Sequence, residues 1–242
     1  MKMTSRPLTI RAHEAQAIQA GRLSLIVRPM KPQPGPYAGG IHPNNVAKHA
    51  APYIDAYCSE PKTAANPRGM SALWCWWTED DRQGPVVGKC PLGKPGDELW
   101  CRETWKFHDW TEDGEPFIQY AADEAVKLCR VPYEIDGGWV SDTWERLSHP
   151  SNYDIDGYAR DRRWRSPVTM PRWASRFTLR VIETDCKRVQ EISEAEIIAM
   201  WCPPEYLLGQ NWLRLMWDEW NGHGAWDRNE WVWLARVERM AG

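Results

Sequence analysis

The sequence has little phenylalanine: three Phe and eight Tyr stand against 17 Trp. Packing and flat-surface recognition must therefore rest on indoles, each with a wide stacking face and one N–H donor, suited to cores, interfaces and nucleobase platforms alike. No apolar run approaches the roughly 18–20 residues that a membrane span needs, so no membrane partner is expected. The seven cysteines (58, 75, 90, 101, 129, 186 and 202) include no C-x-x-C pair, and no signal-peptide pattern is present. Both absences point to reduced thiols in a cytoplasm. An excess of positive charge is also missing. Thirty Lys and Arg against 33 Asp and Glu leave a net charge of −3, which argues against coating duplex nucleic acid as the main function. A local basic groove is still compatible with that total. Repeats and low-complexity tracts are absent. What is present, 242 residues at 43% hydrophobic and 26% charged, is ordinary for a globular protein and long enough for a substantial core.

The chain reads as organised around Pro95-Gly96-Asp97-Glu98-Leu99-Trp100-Cys101-Arg102-Glu103-Thr104-Trp105. Pro95 presets a turn and Gly96 takes the positive φ that follows. Leu99 to Trp105 then reads as a strand, with Leu99, Cys101, Glu103 and Trp105 on one face and Trp100, Arg102 and Thr104 on the other. Glu103 lies between a thiol and an indole on the apolar face. A carboxylate there needs either an arginine partner or a job, such as general base.

Upstream, Arg6–Ile10 reads as a strand, Ala12–Ala20 as a helix closed by Gly21, and Leu23–Arg28 as a strand stopped by Pro29. Met30–Gly69 is dense in Pro and Gly and reads as a long surface excursion. His42, His49 and Cys58 fall within it, but their spacing fits no recognised ligand pattern, so neither a metal nor a cofactor is expected. Ala72–Trp77, Pro85–Cys90 and Phe117–Ala121 are strand candidates around a Thr78–Gln83 turn. The loosely patterned Asp123–Asp161 reads as a second insertion with a short helix or hairpin. Phe177–Ile182 and Trp231–Val237 are strands, Ser193 with Glu196 opens a helix to about Met200, and Gly209–Asn221 is another helix.

Chemistry is densest between them. Arg160, Arg162, Arg163, Arg165, Arg172 and Arg176 are interleaved with Trp164 and Trp173, and only Asp161 offsets them. Pro167 and Pro171 keep the middle extended. Cations beside indoles supply phosphate neutralisation plus a stacking face, which is what a single-stranded or looped nucleic acid requires. The alternative is a solvated rim whose arginines pair with acids such as Asp154 and Asp156.

Four pieces resemble the ASCH family of the PUA-like superfamily. They are Gly21-Arg22 with Arg28-Pro29, the Pro95–Thr104 turn and strand, Met170-Pro171-Arg172-Trp173-Ala174-Ser175-Arg176, and Gln190–Ala195 at a helix start. The third is similar to a segment of phage and prophage ASCH proteins. The resemblance implies an α+β fold: a PUA-like mixed β-barrel with flanking helices, one domain over 1–242 with loop-rich insertions at about 30–70 and 107–163. It also implies a cleft that faces nucleic acid or a nucleoside, and a host cytoplasm if the chain is phage-encoded. One branch of the family hydrolyses acetylated cytidine with a Lys and a Thr after the Gly-Arg, and a Glu in the later helix. Here those positions hold Leu23 (then Ser24), Ile26, and Met200 or Trp201.

The leading expectation is thus a binding module for RNA, single-stranded nucleic acid or a modified nucleoside, using Arg22, Arg28, Arg102, Arg172, Trp173, Ser175 and Arg176. An amidohydrolase or ribonuclease with Glu103 as general base and Ser24 as a positioning group is the first alternative. A phage structural or assembly factor with an indole-rich surface is the second.

Overall fold

The structure, a computed structural model, describes residues 4–35, 53–77, 83–111, 115–130, 163–206 and 208–240. His42, His49, Asp154, Asp156, Arg160, Asp161, Arg162 and the turn at 78–82 lie outside the described residues. The fold is α+β and mostly sheet. Its strands in chain order are β1 (Ser5–Thr9), β2 (Leu25–Pro29), β3 (Tyr53–Ala56), β4 (Leu73–Trp77), β5 (Gln83–Lys89), β6 (Glu98–Arg102), β7 (Trp105–Trp110), β8 (Pro116–Tyr120), β9 (Val126–Leu128), β10 (Thr178–Arg188) and β11 (Trp231–Arg239). The α-helices among the described residues are α1 (Ala12–Gln19), α2 (Glu194–Ala199) and α3 (Gly209–Asn221). Three sheets form, in the orders β1-β6-β10-β11-β2, β3-β4-β5 and β7-β8-β9, and none closes on itself among the described residues. No helix there is long and apolar enough to cross a membrane.

The chain divides into two compact units. The first comprises Met1–Arg6, Ala20–Leu99 and Leu179–Ala241. Its main core lies where α3 lays Trp212, Leu213 and Trp217 against Leu25 and Val27 of β2 and Val232 and Leu234 of β11. Those helix positions share one face at helical spacing, so a single stripe buries them all. Four other indoles of the unit pack in pairs: Trp74 meets Trp233 edge-on at 5.4 Å, and Trp76 meets Trp231 edge-on at 5.9 Å. Inside the Met30–Gly69 excursion, β3 pairs antiparallel with β4, so that stretch contributes regular structure as well as loop.

The Pro-Gly turn sits in this unit. Gly96 takes φ 91°, a conformation that favours glycine, and Asp97 is only 1% exposed. The Asp97 carboxylate accepts from the Lys94 and Thr4 N–H groups at 3.3 and 3.4 Å and lies 3.6 Å from Arg6. The Asp of the turn is therefore an internal anchor.

Ser193 caps α2 through the expected box with Glu196. Lys187 also donates to Glu196 at 2.8 Å. Burial acts to raise the Glu196 carboxyl, but Lys187 and the Ser193 N–H outweigh it and hold the group below its ordinary value. Burial likewise acts to lower Lys187, and Glu196 outweighs it upward. The stability from Glu196 is present above its unfolded value of about 4.3 and is lost as pH falls through the lower folded value. Glu196→Gln should therefore flatten the acid limb of melting temperature against pH, and an unchanged acid limb would contradict this.

The second unit comprises Pro7–Gln19 and Trp100–Thr178, with Gly242. Its core is Trp105, Phe107, Ile118, Tyr120, Cys129, Met170 and Ala174. The expected strand from Leu99 through Trp105 is interrupted. β6 ends at Arg102, the Thr104 carbonyl accepts from Ala121 N–H at 2.9 Å, and β7 starts a different sheet. The alternation survives the break: Leu99, Cys101, Glu103 and Trp105 are all buried, while Trp100, Arg102 and Thr104 are half-buried.

Candidate nucleic-acid interface

Glu103 is 2% exposed, which would be costly without a counter-charge. The structure supplies one from 73 residues away: Arg176 Nε donates to Glu103 Oε1 at 2.8 Å and its Nη2 to Oε2 at 2.7 Å. The remaining arm, Nη1, donates to Asp123 Oδ2 at 2.7 Å. This two-pronged match of guanidinium to carboxylate is the strongest geometry such a pair can adopt. The guanidinium also lies over the rings of Tyr120 and Phe177, 4.3 and 4.8 Å from their centroids. Tyr120 in turn donates its hydroxyl to the Ala174 carbonyl at 2.7 Å. Burial pushes the Glu103 carboxyl above its ordinary value, with Arg176 opposing. Burial works against the Arg176 cation, yet its two carboxylates lift it above its ordinary value. Asp123 is held low by Arg176 and the Ala125 N–H despite a desolvation cost.

Glu103 thus has its arginine partner, with both oxygens engaged and little water contact. An ion-paired carboxylate of this kind is a poor general base, because a base needs a water or substrate hydroxyl within reach. Arg176 is equally committed, with a side chain only 8% exposed. Ser175 lies beside it, its hydroxyl 2.8 Å from the Cys101 carbonyl and 3.0 Å from that of Phe177. Ser175 and Arg176, expected at a binding rim, therefore hold the segment before β10 onto the end of β6.

The outward side chains of the same unit differ in character. The Trp105 and Arg165 backbones exchange hydrogen bonds of 3.3 and 2.7 Å, which pins the basic segment along β7. Arg102 donates to the Val168 carbonyl at 3.2 Å and approaches Thr9 Oγ1 at 3.5 Å, with its guanidinium 5.6 Å from the Trp100 ring. Arg163, Trp164 and Arg172 are exposed. Lys106 Nζ sits 4.4 Å from the Trp164 ring centroid. Trp173 is half-buried against the core of the unit. Buried Arg102 Nε, Trp105 Nε1 and Trp173 Nε1 have no hydrogen-bond acceptor.

Arg22, Ser24 and Arg28 belong to the first unit. Arg22 and Ser24 are exposed, and Arg28 is half-buried with its Nη1 on the Val27 carbonyl at 2.9 Å. The Ser24 backbone is tied at both ends, its N–H to the Ala199 carbonyl and its carbonyl to the Val237 N–H, each at 2.9 Å. Leu23 and Ile26 are buried, as is Met200, and Trp201 has φ 70°. Among the described residues no group of three or more His, Cys, Asp or Glu could hold a metal ion. The cysteines are all free thiols, with burial raising Cys90 to about 12.

Two contributors escaped the sequence reading. Asp123 lies in a stretch read as an insertion, and nothing local marks it as an ion-pair partner 53 residues from Arg176. Lys106 was findable. The alternation that buries Trp105 and Phe107 sends the residue between them outward. No protein-family model, no curated protein and no solved structure matches this chain.

Proposed function

We propose that this protein is a nucleic-acid-binding module that takes RNA or another single-stranded nucleic acid, or a modified nucleoside, along the basic segment of its second unit. The finer fold assignment, a PUA-like mixed barrel of the ASCH family, is part of the same proposal and rests on the four sequence motifs. The observation that carries the binding reading is charge. Residues 163–176 contain four arginines and no carboxylate, in a chain of net charge −3. Arg176 is neutralised internally by Glu103 and Asp123, and of the other arginines of the segment Arg163 and Arg172 are exposed, as is Trp164. Local positive charge next to aromatic faces suits single strands, whose bases are open to stacking.

The test is fluorescence anisotropy with a labelled RNA of about 12 nucleotides, titrated across salt. Arg172→Ala should make the salt slope shallower by about 0.7, the value for one phosphate contact on a single strand. Trp173→Ala should act mainly on melting temperature, since its indole packs against the core. Undetectable binding by the unaltered protein at low salt would reduce the segment to a solvated rim.

A further inference from the structure

We infer that Trp164, with Lys106, forms the base-stacking platform of this interface, and that the ligand it takes is a single strand carrying both bases and phosphates. The inference rests on the nucleic-acid reading and moves to Trp164 the stacking role expected of Trp173. The register explains the arrangement. Trp105 and Arg165 are antiparallel bridge partners, so the next pair along is Lys106 and Trp164. Cross-strand neighbours at such positions face the same side, which places the ammonium 4.4 Å from the indole centroid. Trp164 nevertheless keeps 44% of its surface in solvent. Trp173 is half-buried against the Trp105–Tyr120 core. Of the two indoles in the segment, Trp164 is the one that a base can cover without disturbing that core.

The cations of β7 and of the basic segment define the rest of the ligand. Arg102 and Trp105 lie on the stretch to which residues 165–168 are hydrogen-bonded, and both serve that internal contact, Arg102 through the Val168 carbonyl and Trp105 through its backbone. Trp105 itself is 2% exposed. Half-buried Lys106 puts its ammonium against Trp164, and Arg163 and Arg172 are exposed cations of the same segment. A ligand that complements this set brings negative oxygens. Phosphodiesters supply them, and a free nucleoside does not. Lys106 has a flexible four-carbon stem, so its ammonium can move from the indole to the phosphate of a stacked nucleotide. A duplex would offer the phosphates but keep its base faces stacked inside.

Anisotropy with fluorescein-labelled oligouridine and oligothymidine of about 12 nucleotides, at about 50 mM salt, tests this. Trp164→Ala should weaken binding by about 5- to 150-fold, the loss of one base stack. Trp164→Phe should recover most of it, and the melting temperature should stay put in both variants. Lys106→Gln should reduce the salt slope by about 0.7. Equal affinity of the unaltered protein and Trp164→Ala would overturn the platform while leaving the nucleic-acid reading standing. If the unaltered protein binds neither oligomer, the nucleic-acid reading fails first and the platform fails with it.

Discussion

Arg176→Ala should lower stability by about 3–5 kcal/mol, the usual consequence of stranding a buried charge. For a chain of this length that is about 6–20 °C in melting temperature. The loss would come from the partner left behind. Glu103 is 2% exposed, and without the guanidinium its carboxylate would face the Cys101–Trp105 interior with no cation to offset desolvation. The cation also spans Tyr120 and Phe177, so its removal opens space between two rings. Glu103→Gln should cost less, because an amide can keep one hydrogen bond to Arg176, whose cation retains Asp123 as its counter-charge. A double variant, Glu103→Leu with Arg176→Met, should be less damaging than Arg176→Ala alone, since apolar replacement of a buried pair is often neutral. Thermal melts of the four proteins decide it. An Arg176→Ala melt within about 2 °C of the unaltered protein would mean that the pair contributes little.

Trp217→Ala is expected to cost about 3–5 kcal/mol in the first unit, from lost burial and the cavity left behind. Trp217 is fully buried, and α3 presents it with Trp212 and Leu213 to β2 and β11. Nothing polar compensates for its removal, and the neighbouring Ile197, Ala225 and Val232 are too short to fill the space. Trp217→Phe should lose a fraction of that. Urea denaturation measures both, and it also separates stability from binding. Oligonucleotide affinity of Trp217→Ala, measured where the protein is still folded, should match the unaltered protein, because Trp217 lies outside the basic segment. A stability loss below about 1 kcal/mol would mean that the helix repacks.

The features legible in the sequence were those set by neighbours in the chain. Pro95 and Gly96 predict a turn because φ at each position is fixed or freed by the residue itself, and Gly96 takes φ 91°. Ser193 and Glu196 predict a helix start because their reciprocal bonds span three residues, and Gly209–Asn221 has the expected bounds. The face assignment from Leu99 to Trp105 also holds, since side-chain alternation is local. The break at Glu103 and Thr104 was not legible, because it depends on β7 leaving for a sheet built with β8 and β9. Arg176 is the clearest case. Its sequence context, flanked by Trp173 and Arg172 in a carboxylate-free run, reads as a phosphate contact. Its partners lie 73 and 53 residues away, and only the fold brings them within 2.8 Å. β3 was hidden for a related reason, since a four-residue strand in a Pro-rich stretch is defined by pairing with β4.

The measurement that bears most directly on the account is binding of one labelled sequence, single-stranded and as its duplex, across a salt titration. The account predicts that the single strand binds more tightly at every salt concentration, with log affinity falling linearly against log salt at about 0.7 per phosphate contacted. Trp164→Ala should erase most of the preference for the single strand. Equal or tighter binding of the duplex, or no salt-dependent binding of either form, would contradict it.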